Sequence, residues 1–463
     1  MPEILQQIHQ VIHQLISGPA MLLWMVGVGI FLSVRTRFFQ FTHFIDVFKT
    51  LFHGIFKTKP KSGHKSGITP FQSLTTALAG TLGTGNIVGV ATALAAGGPG
   101  AVFWMWVSAF FGMVTKYAEI VLAVRYRKTN AKGEYTGGPM YYMEHGLHWK
   151  KAGSVYAVLC ILASFGIGNT TQANAAVEAL HAGFGFSKGG CAFLLAFLAG
   201  LVMLGGIRRI GKITEKFVPV MAVFYTGAAF VVLFQNAGAI PEAFVLIFRS
   251  AFNFRAVGGG ITGYFVLRSL RYGVSRGVFS NEAGLGSSSI AHAAADTDSP
   301  VRQGMWGIFE VFVDTIVMCT LTTLVILTSG LWNSGLDGAT LTLAAFTQAL
   351  GKPAGWIIAV STALFAFAAL LGWSYYGEKC MEYLFHGKRG QWVYRFCYIA
   401  LAWVGGLAQL ELVWDIADTL NGLMAIPNLA ALLLLSGEVK HLTENYIATS
   451  ARSDKILRSS KYR

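Results

Sequence analysis

The sequence is short of charge. Of 463 residues, only 13% are Asp, Glu, Lys or Arg, about half the share of a soluble domain. With 54% hydrophobic residues and a mean hydropathy of +0.53, the chain cannot clothe its surface in polar groups. A soluble enzyme, a disordered chain and a fibre are thereby excluded as the main body. Cysteine is scarce too. Cys160, Cys191, Cys319, Cys380 and Cys397 are odd in number, lack CxxC spacing and sit in or beside apolar runs, which predicts packing residues. No His, Cys or Glu cluster has metal-ligand spacing and no nucleophile stands beside a base, so an enzyme is not expected. The run Gly83, Gly85, Gly89 lacks the preceding strand and the GK[ST] ending of a phosphate loop. Met1 to Ser17 lacks the basic start of a cleavable signal.

What the sequence does have is apolar runs long enough to cross a bilayer. A first span from Gly18 to Val34 stops at Arg35 and Arg37. Others fall near 70–95, 100–124, 153–181, 190–206, 213–236, 258–292, 303–330, 354–384, 392–409 and 412–436, giving about eleven. Met1–Ser17 has apolar residues at helical spacing and predicts an interfacial helix. Phe38–Lys65 is amphipathic and basic, and the stretches near 240–254 and 339–350 predict extramembrane helices. The tail after Ser436 is polar and basic. The division is 1–65 (interfacial helix, first span, basic connector), 66–254 (first five spans), 255–436 (second five) and 437–463 (tail). The class is an all-α polytopic membrane protein.

The net charge of +14 is explained by topology. Threaded with the N-terminus outside, most of the 36 Lys and Arg fall in inner loops, and only Lys188, Arg249, Arg255 and Lys352 fall opposite. The positive-inside rule therefore predicts an outer N-terminus and a cytoplasmic C-terminus, with lipid and not nucleic acid as the partner. Nothing in the sequence fixes an oligomeric state.

Two stretches interrupt the apolar pattern. Ala79-Gly-Thr-Leu-Gly-Thr-Gly-Asn86 puts three glycines and two threonines in the middle of the second span, and Phe279-Ser-Asn-Glu-Ala-Gly-Leu-Gly-Ser287 lies in the seventh. Glycine costs a helix interior about 1 kcal/mol, and bare backbone is tolerated in hydrocarbon only beside a cavity or ligand. Each stretch opens a five-span group, which predicts one extra span plus an inverted five-plus-five repeat, the architecture of a transporter with a midplane site. A broken helix offers N–H groups to an anion and carbonyls to a cation. A zwitterionic amino acid satisfies both, and an alkali cation can sit among the carbonyls. The alternative is a small-residue packing seam.

Charges inside spans need a reason. Lys116 and Glu119 are three apart on one helix face and are expected to pair. Glu282, inside the second interruption, is the candidate for the inner gate, paired with Arg276 or Arg271. Glu310 and Asp314 serve structure or ion passage. Glu378 and Glu382 balance Lys379 and other basic residues, and His292 is expected to be structural.

Four motifs carry a family resemblance: TLGTGNIVGVATAL (81–94), GGPGAVFWMWVSAFFGMVTKYAEIVLAVRYR (97–127), RGVFSNEAGLGSSSIAHAAA (276–295) and GWSYYGEK (372–379). Together, and in this order, they resemble the alanine or glycine:cation symporter family of bacteria and archaea. The resemblance implies the leucine-transporter-type fold with one added N-terminal helix, in a bacterial or archaeal cell membrane. It also implies import of small neutral amino acids, alanine or glycine, with sodium, and no other cofactor. Residue by residue, it implies that Thr84, Gly85 and Asn86 meet the substrate carboxylate. Gln172 is its neutral orienting amide, Phe279, Ser280 and Asn281 line the second interruption, and Trp373 closes the side-chain end. It places sodium at the carbonyls of Ala79 and Leu82, opposite Ala368 and Ala369. There the family carries a Ser–Thr pair, whose oxygens two methyl groups do not replace. Ser361 and Thr362 lie about two turns earlier. That departure keeps a proton-coupled or uncoupled carrier, or a sensor, open as alternatives.

Overall fold

The computed structural model describes residues 18–57, 67–252, 261–385, 388–408 and 411–460. The expected interfacial helix over Met1–Ser17, part of the basic connector, Arg255 and the last residues of the tail lie outside them. The described residues are almost wholly helical: α1 Pro19–Arg35, α2 Phe44–Lys57, α3 Pro70–Thr81, α4 Val88–Gly97, α5 Gly100–Arg125 and α6 Pro139–Leu147. Then come α7 Lys150–Phe184, α8 Lys188–Met203, α9 Gly206–Gln235, α10 Ile240–Ala251, α11 Ile261–Asn281 and α12 Ser289–Ala293. The remainder are α13 Pro300–Thr328, α14 Gly338–Leu350, α15 Pro353–Phe385, α16 Lys388–Leu407, α17 Glu411–Leu434 and α18 Ser436–Ser460. Among them five helices (α5, α7, α9, α13, α15) are long and apolar enough to cross a membrane, or six if the pair bent by 58° between α17 and α18 counts as one span.

Two features depart from the expected pattern. A two-stranded antiparallel ribbon, β1 Lys128–Thr129 with β2 Tyr135–Thr136, follows α5, and the polar tail is helical from Ser436. Local chemistry sets many of the ends. Thr69 and Gln72 form a capping box ahead of Pro70 at the start of α3. Ser187, Ser299 and Asp337 cap α8, α13 and α14. The outer faces of α8, α9 and α16 expose Phe193, Phe197, Val223, Phe230, Phe234, Phe396 and Trp403, a surface that hydrocarbon stabilises and water does not.

Helices α5 and α15 form the centre. α5 packs against α11 and α13, while α15 packs against α3, α7 and α9. The interrupted segment α3–α4 thus lies between them, with α4 against α11. Glycine allows the closest approach: a Cβ on Gly372 of α15 would sit 2.6 Å from the Gly80 nitrogen of α3. Both interruptions are buried where these helices meet.

Candidate functional site

The first interruption is a real break. α3 ends at Thr81, Leu82 and Gly83 leave helical geometry, a single 3-10 turn spans Thr84–Asn86, and α4 resumes at Val88. Its freed groups find side chains. The Thr84 N–H donates to Gln172 Oε1 at 3.3 Å, while Gln172 Nε2 donates to the Ile167 carbonyl at 3.1 Å. The carbonyls of Asn86 and Ile87 accept from the hydroxyls of Thr322 (2.7 Å) and Thr342 (3.0 Å). The Thr84 hydroxyl is buried without a partner.

Most of the expected substrate residues converge here. A Cβ on Gly83 would lie 3.2 Å from Gln172 Oε1 and 3.3 Å from the Ala369 methyl, and one on Gly85 would lie 3.4 Å from the Ser280 Cα and 3.5 Å from the Phe279 ring. Gln172 is aimed by a π turn at Gly166–Thr170 within α7. At the same turn the Trp373 side chain fills the space a Cβ on Gly168 would need. Trp373 meets Tyr376 edge-on, with ring centroids 5.5 Å apart. Ala368 and Ala369 are fully buried. Asn281 is turned to other work. Its amide donates to Thr315 Oγ1 at 3.0 Å and accepts from the Ala283 N–H at 3.0 Å, so it braces the break.

The centre of the site was only half visible in the sequence. Asn86 Nδ2 lies 2.8 Å from Asp314 Oδ1 and 3.1 Å from Ser280 Oγ, and Ser280 Oγ lies 3.1 Å from the same carboxylate oxygen. Asp314 Oδ2 accepts from Thr315 Oγ1 at 2.8 Å. All four are buried. Among the described residues no cation is within ion-pair distance of Asp314, and Asn86 Oδ1 has no partner. Asp314 stands in a second π turn, Phe312–Cys319 of α13. No glycine or proline marks that turn in the sequence, although such turns favour functional positions.

The second interruption runs from Glu282 to Ser288, with left-handed backbone at Glu282 (φ 56°), Gly284 (φ 96°) and Gly286 (φ 76°). It is occupied from within. Glu119 Oε1 accepts from the N–H groups of Gly284 (2.9 Å) and Gly286 (3.1 Å) and from Asn428 Nδ2 (2.7 Å). Asn428 also donates to the Gly284 carbonyl at 2.8 Å and accepts from the Tyr142 hydroxyl.

Two expected pairings are therefore corrected. Lys116 does not form an ion pair with Glu119. Its ammonium donates to Ser288 Oγ at 2.7 Å and lies 3.5 Å from Glu310, because α5 presents it to α13 and the break at once. Glu282 accepts from the Ser287 hydroxyl, while Arg276 lies 3.5 Å from Asp418 and over the Phe279 ring, so these two do not pair. Glu310 is held between Lys116 at 3.5 Å and His292 Nε2 at 3.1 Å. His292 Nδ1 faces Gln303 Nε2 at 2.9 Å and Ser73 at 3.2 Å, a satisfied structural position as expected. Glu378 binds Arg395 through two contacts and Glu382 binds Lys379 at 2.8 Å, the balance foreseen.

Two further features lie outside this centre. A cavity of about 50 Å³ lies beside Phe279 against Ser275, Asp418 and Asn421. After α12, Arg127 donates to the carbonyls of Ala295 (2.6 Å) and Thr297 (2.8 Å) and stacks on Tyr135. Burial draws its guanidinium below its ordinary pKa.

A family model described as the sodium:alanine symporter family matches residues 2–459. A protein of Methanococcus maripaludis named sodium/alanine symporter AgcS is 48% identical over 444 residues, covering 94% of this chain and 96% of that one. Two Bacillus subtilis proteins, the probable sodium/glutamine symporter GlnT and the amino-acid carrier protein AlsT, are 39% and 38% identical over 96% and 94% of this chain, and 91% and 92% of their own. Among solved structures, MhsT in complex with L-phenylalanine (TM-score 0.57, 81% of this chain and 90% of that one) and a Na+-coupled sialic acid symporter (TM-score 0.57, 92% and 86%) share the fold at 14% identity. Both are transporters of the leucine-transporter type, so that fold is shared. Matched over nearly its whole length, this membrane protein is a transporter and not an enzyme, an amino-acid:cation symporter that belongs to the sodium:alanine symporter family.

Proposed function

We propose that this protein imports a small neutral amino acid, alanine or glycine, together with sodium by alternating access across a bacterial or archaeal cell membrane. The arrangement proposed is eleven spans: α1, then two inverted groups of five, each opened by a broken helix, with the N-terminus outside and the C-terminus inside. The substrate carboxylate takes the N–H groups at Thr84, Gly85 and Asn86, where it displaces the neutral oxygen of Gln172. The ammonium group faces Phe279 and Ser280, and Trp373 limits the side chain.

The observation that carries the sodium reading is the buried Asp314 carboxylate, 2.8 Å from the Asn86 amide and faced by neutral donors. An uncompensated carboxylate in hydrocarbon is costly, and a hard cation here would take the oxygens of Asp314 and Ser280 and, once the Asn86 amide turns its unpartnered Oδ1 into the place of Nδ2, a third oxygen, with Cys319 Sγ at the edge of the site. Such an ion would lie next to the residues that hold the substrate carboxylate, so each charge favours the other. The carbonyls of Ala79 and Leu82 beside Ala368 and Ala369 form a poorer second place, because two methyl groups supply no oxygen. For gating, Arg276 with Asp418 and Phe279 covers the site from the end where α1 begins. Glu282 belongs to the segment held by Ser287 on the other side.

Labelled alanine uptake into proteoliposomes tests the reading. A sodium gradient should drive accumulation, and Asp314→Asn should remove the sodium dependence. Accumulation without sodium, driven by a proton gradient, would transfer coupling to protons. Binding without accumulation would leave a sensor or passive carrier. Failure to take up any small neutral amino acid would remove the substrate class.

A further inference from the structure

We infer that the cavity where α1 turns towards α2 binds the phosphate headgroup of an anionic phospholipid. This cavity measures about 560 Å³ and lies between that turn and α18, lined by Arg35, Arg37, His43, Lys440, Thr443 and Glu444, among others. Three permanent cations there face one carboxylate. Glu444 lies 3.3 Å from Arg37 and 4.0 Å from Lys440, and among the described residues no carboxylate is within ion-pair distance of Arg35. Arg35 instead rests against α18, where a Cβ on Gly437 would lie 3.6 Å from its Nη2. The cavity therefore carries an excess of positive charge that the described residues do not balance.

The turn is built to keep it so. Arg37 and Phe38 both hold left-handed backbone, with φ 56° and 53°. The Phe38 N–H donates to the Ser33 carbonyl at 2.7 Å, reversing the chain at the end of α1. Two adjacent non-glycine residues in this region are strained and persist only when their surroundings over-determine them. The same stretch exposes Phe31, Val34, Phe38, Phe41 and Ile45, apolar side chains that acyl chains would cover. Inorganic phosphate could use the cations, but only a lipid uses the cations and this apolar rim together.

Native mass spectrometry and thermal stability of the full chain in nanodiscs provide the test, with phosphatidylglycerol titrated into phosphatidylcholine. Phosphatidylglycerol should be retained in preference and should raise the melting temperature. Arg35→Gln and Lys440→Gln should each weaken that retention roughly fivefold, the value of one cation at a membrane surface. Glu444→Gln, which removes the only opposing charge in the cavity, should strengthen it by a similar factor. Unchanged phosphatidylglycerol retention in Arg35→Gln with Lys440→Gln would overturn the site. So would competition by millimolar inorganic phosphate, which would assign it to a soluble anion. Should the arginine variant fail to fold, Glu444→Gln decides alone, and no gain in retention contradicts the inference.

Discussion

The two interruptions solve the same problem in opposite ways. In the second, the N–H groups of Gly284 and Gly286 grip a carboxylate that the protein supplies itself, Glu119. In the first, the Thr84 N–H meets only the neutral amide oxygen of Gln172, at 3.3 Å. Charged acceptors bind backbone donors about twice as strongly as neutral ones. The second break is therefore a filled anion site, and we propose that the first is one held ready by a weaker partner. The comparison explains why the substrate carboxylate is assigned to the first. It also explains how the second keeps left-handed backbone at Gly284 and Gly286, whose N–H groups the internal carboxylate holds in place.

The largest effect is expected from breaking the second site. Gly286→Ala adds a Cβ that would strike Pro139 at a left-handed position, and it should cost roughly 3 kcal/mol or more, seen as loss of folded protein in size-exclusion thermal assays. Gly89→Ala, where nothing lies within 4 Å, should leave the melting point unchanged and serves as the control. Next comes Gln172→Glu. A carboxylate beside Thr84 would fill the first site as Glu119 fills the second, and alanine affinity should fall roughly tenfold to a hundredfold, measured by equilibrium binding. Equal affinity in that variant would break the comparison.

Glu119→Gln sharpens it. The amide oxygen keeps its geometry but loses its charge, which should lower stability by about 1.5–3 kcal/mol while leaving alanine affinity per folded molecule near wild type. Trp373→Ala should have the smallest effect on alanine itself. Competition binding with larger neutral amino acids should improve roughly tenfold, the scale of a few methylenes in an apolar pocket. Unchanged selectivity would remove Trp373 from the side-chain end.

The breaks were legible because their cause is local. Glycine, threonine and asparagine weaken a helix wherever they cluster, and Leu82–Asn86 and Glu282–Ser288 are non-α-helical for that reason. The grouping of Gln172, Phe279, Ser280 and Ala369 around Gly83 and Gly85 followed from the family resemblance rather than from spacing. The pairing of charges was not legible. Lys116 and Glu119 have helix-neighbour spacing, yet the second break binds both at different points, Lys116 at Ser288 and Glu119 at Gly284 and Gly286, while α13 adds Glu310 to Lys116. Asp314 was visible as an intramembrane charge, but its contact with Asn86 depends on a π turn that the residues of 312–319 do not announce. The ribbon after α5 and the helix of the tail were also missed, both lying in polar sequence without the apolar periodicity that marks the spans.

The most direct test of the central claim is an experimental structure with alanine and sodium bound. The account predicts the alanine carboxylate within hydrogen-bond reach of the N–H groups of Thr84–Asn86, with Gln172 displaced from Thr84 and Glu119 still on Gly284 and Gly286. Alanine bound with its carboxylate at Gly284 and Gly286, or away from both breaks, would contradict it.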